Sequence, residues 1–348
     1  MEMLERAVDA LMNEKMVGNI AVRVSMGDRV LYDLRRAEGE RTITDRTLFD
    51  MASVTKIIVT TSLALIAADR GLLSIDDPVS RFFTVPADKR ELTVQHLLTH
   101  TMGIGHKSLL GANGAYETVQ DYILGIPLDS PIGSEVRYSC PGFILLGRIM
   151  EKIYGERLDA AFYRHVAAPL GLTHTVFLPD RSLDIVNSNR SDADKGCVND
   201  YNCRSLGGVC GNAGLFSCVE DLTRFVAFLR RRGEPLFSEE TFALATKNYT
   251  PGMQELRSLG YLYVGADYAQ TGGLFREGSI GHCGHTGQSV FVDGESGLSV
   301  IILSDATVFT AKKYGKERYS EVVEMRRVLH EAIKEDLNET FSNNGGQL

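Results

Sequence analysis

The chain has 348 residues, 44% of them hydrophobic, enough apolar material for one large core or two adjoining lobes. A formal net charge of −8 and the lack of any basic stretch argue against nucleic acid as a partner. Met1–Val8 is amphipathic rather than a basic segment followed by an apolar one. It does not read as a secretory signal, so a cytoplasmic location is expected.

In chain order, the pattern predicts a helix over 2–16, then two alternating strands, Asn19–Ser25 and Arg29–Arg35, joined through Met26-Gly27-Asp28. A long apolar segment follows at 54–70 and closes at Arg70-Gly71 as a helix does. Its apolar run, 57–68, is too short to cross a bilayer, so no membrane association is expected. Leu92–Leu98, Val119–Leu124, Gly142–Tyr154 and Leu158–Leu170 read as helices, and Asn187–Cys210 as a long irregular loop. A helix is expected over 219–231, then strands at Tyr261–Val264, Ser289–Val292 and Leu298–Leu303, and a terminal helix over Ser320–Glu335. Strands at both ends around a helical middle imply an α+β fold. One antiparallel sheet would be built from both termini, flanked by the end helices, and a mainly helical lobe would be inserted. Residues 1–340 form a single module on this reading. The sheet lobe takes about 1–55 and 216–340, the helical lobe about 56–215, and 341–348 make a flexible tail.

The most informative feature is Ser53-Val54-Thr55-Lys56 at the mouth of the apolar segment. Residues three apart share a helix face, so hydroxyl and amine meet near the helix start, where free N–H groups point outward. A lysine drawn into apolar surroundings favours its neutral form and becomes a base for the serine. By composition an S-x-x-K arises about once or twice by chance in a chain of this length. Its context therefore carries the argument.

That context resembles the serine β-lactamase and penicillin-binding-protein superfamily, its class C-like esterase and peptidase branch above all, over nearly the whole chain. Phe49–Lys56 is similar to the family's nucleophile element, Tyr138-Ser139-Cys140 to its Tyr-x-Asn element, and Gly281-His282-Cys283-Gly284 to the third, Lys-Thr-Gly or His-x-Gly element. Gly71–Val79, Leu92–Gly103 and Pro169–Leu172 resemble recurring structural pieces of the family. The resemblance implies a β-lactamase/transpeptidase-like fold and a serine hydrolase working without a cofactor. Ser53 would be the acylated nucleophile, Lys56 its deprotonating partner, and Tyr138 the second base, made phenolate by the lysine. His282, on an edge strand, would orient the substrate, and Gly284 belongs to the same substrate-binding element. The N–H groups of Ser53 and His285 would form the oxyanion hole.

Two departures narrow the substrate. Cys140 stands where the family has asparagine, and a thiol hydrogen-bonds poorly to a substrate amide or a lysine. That favours esters over amides. Asn199 and Asn212 stand where a carboxypeptidase-like subgroup carries histidines. The six cysteines, at 140, 197, 203, 210, 218 and 283, form no C-x-x-C and match no zinc spacing, so no metal is expected and reduced, apolar thiols are. Cys140 and Cys283 both fall in catalytic elements, so oxidation or a bridge between them is a candidate off-switch. His96 and His100 read as core or capping residues. The expected partner is a small-molecule ester, peptide or β-lactam. Two other functions compete: a non-catalytic domain that captures peptides or β-lactams, and a thiol-ligated metal protein.

Overall fold

The computed structural model describes residues 1–112, 115–266 and 268–343. The hairpin forms as the turn chemistry requires. Strand β1 (Asn19–Met26) pairs antiparallel with β2 (Arg29–Ala37), and Gly27 takes the positive φ of the turn. Three short strands, β3 (Phe49–Asp50), β4 (Val176–Phe177) and β5 (Leu215–Ser217), make a separate small sheet in the order β3-β5-β4. The last third adds β6 (Leu262–Tyr263), β7 (Ile280–Cys283), β8 (Ser289–Val292) and β9 (Leu298–Ser304). The main sheet runs β2-β1-β9-β8-β7-β6, antiparallel throughout, so the two ends of the chain meet at the β1–β9 pair.

Alternation along the strands divides the core. Ile20, Val22, Val24, Val300 and Ile302 point to one face and pack with Leu4, Val8, Leu329 and Ile333. Those four come from the first helix (Glu2–Asn13) and the terminal helix (Tyr319–Asn343). Ala21, Ile301 and Leu303 point the other way, into the larger core shared with the helical region. The terminal helix runs through Asn343, so the tail expected from 341 starts no earlier than 344, outside the described residues. The first helix is shorter than expected, and the loop at 187–210 carries a helical turn at Tyr201–Ser205, capped by Asp200.

The apolar segment after Ser53 is buried on every side, which explains why it is hydrophobic all round rather than striped. It opens as a 3₁₀ turn (Ala52–Val54), widens into a π-helical stretch (Lys56–Thr61) and continues as an α-helix (Ser62–Asp69). In the wide stretch Ser62 Oγ donates to the Ile57 carbonyl at 2.9 Å, and Thr60 Oγ1 donates to the Gly211 carbonyl at 2.7 Å. Ala52–Asp69 has the length and hydropathy of a membrane span, but it is the central core helix of this fold.

Candidate active site

Ser53 sits at the first helical turn after β3, and the residue before it is strained. Ala52 has φ +44°, a left-handed conformation that costs an alanine energy and is kept by its surroundings. Those surroundings are anchored on Asp50. Its carboxylate accepts from the Ala52 N–H at 2.8 Å, the Asn199 N–H at 2.6 Å and Ser188 Oγ at 3.1 Å. Its carbonyl accepts from Thr286 Oγ1 at 2.9 Å and from Gln288 Nε2. One aspartate thus ties the nucleophile turn to the 187–200 loop and to the β7–β8 turn. Burial pushes its carboxyl up to about 6, against the three donors that favour the charge. Nothing in the sequence singled it out.

The nucleophile, the lysine and the tyrosine come together. Ser53 Oγ accepts from Lys56 Nζ at 2.9 Å and from the Tyr138 hydroxyl at 2.6 Å. Tyr138 is brought there by the start of the helix Cys140–Tyr154: Ser139 is its N-cap, accepting from the Gly142 N–H at 3.1 Å. His100 backs the tyrosine. Its ring lies 4.6 Å from that of Tyr138 and its Nδ1 accepts from the Ser139 N–H at 3.0 Å. His96, in turn, caps its own short helix with Thr93, so both histidines are structural as expected.

The protonation states differ from expectation. Lys56 is fully buried, and burial opposes its charge, but the amine is raised above its ordinary value, with Asp200 and any negative charge that forms on Cys140 or Tyr138 favouring the ammonium. Its three donor positions are matched by Ser53 Oγ, the Asn212 carbonyl at 3.0 Å and Cys140 Sγ at 3.7 Å. Lys56 is therefore an ammonium at rest and not the neutral base anticipated. Tyr138 is pushed up to about 12 by burial, which exceeds the lowering by Lys56, so it rests as a phenol rather than a phenolate.

His282 also departs from expectation. It lies on β7, one strand in from the edge, which is the two-residue β6. Burial first, then Arg257 and Lys56, drive its imidazole well below the usual range, so it is neutral. Its Nδ1 donates to the Cys283 carbonyl at 2.8 Å, which leaves Nε2 as a buried acceptor without a partner among the described residues. A neutral acceptor cannot pair with a substrate carboxylate. Gly284 is required by space: a Cβ there would stand 2.7 Å from the Met51 carbonyl. The backbone N–H groups of Ser53 and His285 have no acceptor among the described residues. The His285 side chain stacks on Tyr319, ring centres 5.3 Å apart, and its Nε2 lies 3.1 Å from Glu317.

Ser53, Tyr138, Cys140, Asn199, His282 and His285 line one cavity of about 770 Å³, along with Asp200, Arg257 and Tyr319. Arg257 was not anticipated. It is buried, pairs with Glu255 at 2.8 Å and lies 5.6 Å over the Tyr138 ring. Cys140 and Cys283 are both free; burial raises both thiols, so neither carries thiolate reactivity at rest. Outside the cavity, ligand atoms of His174, Cys218 and Asp221 lie within 4.8 Å of one another. The Asp221 carboxylate is already held by the His174 N–H at 2.7 Å, Thr175 Oγ1 at 2.8 Å and Arg224 at 2.9 Å, which makes the group a fold anchor.

With this geometry the comparisons agree. The family model described as Beta-lactamase matches residues 4–323. The chain belongs to the Beta-lactamase family. It is 31% identical to Esterase EstB of Burkholderia gladioli, over 85% of this chain and 88% of that protein. A protein of Escherichia coli (strain K12), provisionally named a D-alanyl-D-alanine carboxypeptidase, is 28% identical over 75% of this chain and 70% of its own. Among solved structures, EstCE1, described as a hydrolase with promiscuous acyltransferase activity, superposes with a TM-score of 0.73 at 22% identity, covering 94% of this chain and 98% of its own. The fold is β-lactamase/transpeptidase-like, and membership of this family makes the chain a serine hydrolase.

Proposed function

We propose that the chain hydrolyses small esters through a Ser53 acyl-enzyme. The observation that carries this reading is the Ser53 hydroxyl, set between Lys56 and Tyr138 and near two backbone N–H groups that have no acceptor among the described residues. A substrate carbonyl oxygen would enter between the N–H groups of Ser53 and His285. The Ser53 proton passes to Tyr138 once the Lys56–Tyr138 pair has lost one of its own, and Ser53 Oγ bonds to the carbonyl carbon. The tetrahedral oxyanion is held by the two N–H groups. Tyr138 then gives its proton to the departing alkoxide, leaving an ester on Ser53. Water, deprotonated by the same pair, attacks that ester, and the serine leaves with the proton restored.

Esters are preferred to amides because the side chain at 140 is a buried thiol, 3.7 Å from Lys56 Nζ, with no amide to offer a substrate. The similarity to an esterase points the same way. Intact mass after exposure to an activated ester and, separately, to a penicillin tests the reading, with wild type set against Ser53→Ala. Turnover of the ester by wild type alone is expected. Stoichiometric labelling of Ser53 without turnover would instead make the chain a capture domain. Equal behaviour of wild type and Ser53→Ala would remove the serine from the chemistry.

A further inference from the structure

Arg326 is wholly buried, and nothing in the proposed chemistry touches it. It lies on the terminal helix and reaches across to the β7–β8 turn, where its guanidinium donates to the Gly284 carbonyl. That carbonyl belongs to the same peptide group as the His285 N–H. It is already satisfied within the turn by the Gly287 N–H at 3.1 Å, so hydrogen-bond demand does not explain a buried arginine there. The other guanidinium contacts are to Gln270 Oε1 at 2.9 Å and the Tyr319 hydroxyl at 3.3 Å, both neutral. Arginine is permanently charged, and placing that charge out of water is costly.

We infer that Arg326 is a positioning residue for the oxyanion hole, acting through the Gly284–His285 peptide. A cation on the carbonyl oxygen draws electron density from the amide nitrogen and makes the N–H on the far side a stronger donor. The line runs guanidinium, Gly284 carbonyl, His285 N–H, substrate oxyanion. Charge developing on the substrate is met by a charge held one peptide away, with no movement needed during reaction. The rest of the turn is fixed for the same purpose: Thr307 Oγ1 donates to the His285 carbonyl, and Thr286 Oγ1 donates to the Asp50 carbonyl at 2.9 Å. The inference rests on the acyl-enzyme reading above.

The test uses the full chain with citrulline at position 326, isosteric with arginine and uncharged, beside Arg326→Lys and Ser53→Ala. Four quantities are read: acylation by p-nitrophenyl butyrate, its KM, the affinity of phenylboronic acid as a tetrahedral adduct on Ser53, and the infrared stretch of the acyl-enzyme carbonyl. With citrulline, acylation is expected to fall roughly tenfold, and boronate affinity by the same factor, with KM little changed. The carbonyl stretch should move to higher frequency, and Arg326→Lys should fall between. A folded citrulline protein with wild-type acylation, boronate affinity and carbonyl stretch overturns the role of Arg326 and leaves the serine reading standing. A loss of rate with an unmoved carbonyl stretch also overturns it, since a structural tie between helix and turn would do that. Ester turnover surviving in Ser53→Ala overturns the serine reading and this inference together.

Discussion

Lys56 and Tyr138 both hold their protons at rest, and that fixes how the rate should respond to pH. Burial opposes the charge of Lys56, but its three acceptors and Asp200 favour the ammonium and the amine is raised, while Tyr138 reaches about 12 because burial exceeds the pull of Lys56. The active form has lost one proton from this pair, so it is scarce at neutral pH and grows with alkalinity. The logarithm of kcat/KM for an activated ester should climb by about one unit per pH unit from about pH 7 to about pH 10. A flat profile above pH 7 would mean the base is already formed at neutral pH. Tyr138→Phe should lose on the order of a hundredfold or more at every pH. The resting charge of Lys56 was not legible in the sequence, which shows only the apolar residues following it. The Cys140 sulfur and the Asn212 carbonyl that hold its proton come from 84 and 156 positions away. Ser53, Lys56 and Tyr138 were legible because the motif and its surroundings coincide, whereas Arg257 and Arg326 lie in no motif and Asp50, inside the nucleophile element, shows no role until the fold brings its partners together. Cys140 invites a second substitution. Cys140→Asn puts an amide beside Lys56, and one added substrate hydrogen bond should raise amide acylation relative to ester acylation by up to roughly tenfold. An unchanged ratio, measured with matched p-nitrophenyl ester and anilide substrates, would show that position 140 does not set the preference.

The β7–β8 turn and the nucleophile turn work as one element, although they are more than two hundred residues apart. Asp50 accepts from Thr286 and Gln288, and Gly284 packs against Met51 and Ala52. Gly284→Ala would set a methyl 2.7 Å from the Met51 carbonyl and 3.4 Å from the Ala52 Cβ. Backbone faces it on the near side, so the turns must separate. Acylation should fall about a hundredfold, as when one oxyanion donor is lost, and stability by about 1–3 kcal/mol. Stopped-flow acylation alongside urea unfolding measures both, and wild-type acylation would show that the two turns tolerate separation. Such an element cannot be read along a chain, because its two halves meet only through the sheet. β7 illustrates the limit. His282 reads onto an edge strand from its motif, but the strand expected at Tyr261–Val264 forms as the two-residue β6 and pairs outside β7, a pairing that no local pattern announces. β3 and β4 are equally short, and no periodicity marks them.

Across the whole molecule, both termini build the sheet, and the helices that cover it must be held to each other as well as to the strands. The sequence revealed this plan because β1, β2, β8 and β9 are long enough to alternate or to run apolar. It understated the terminal helix, whose last two turns continue the stripe of Leu329 and Ile333 only through Leu337 and Phe341, set among Asp336, Asn338, Glu339, Thr340 and Ser342. Those turns begin at a structural joint. Asp336 is buried, and its two carboxylate oxygens accept from the N–H groups of Met3 at 3.1 Å and Leu4 at 2.9 Å. These are orphan donors in the first turn of the first helix, whose N-cap, Met1, supplies no side-chain oxygen. The terminal helix therefore caps the first helix from outside. Asp336→Ala leaves two N–H groups without acceptors, one of them on fully buried Leu4, and removes an anion from a helix N-terminus. A loss of about 2 kcal/mol is expected, read as a lower urea midpoint at unchanged slope. Asp336→Asn keeps one acceptor and loses the charge, so it should fall between. The site lies on the far side of the sheet from Ser53, so kcat/KM should stay at the wild-type value under native conditions. Stability within about 0.5 kcal/mol of wild type in Asp336→Ala would show that the two terminal helices are held by their apolar faces alone.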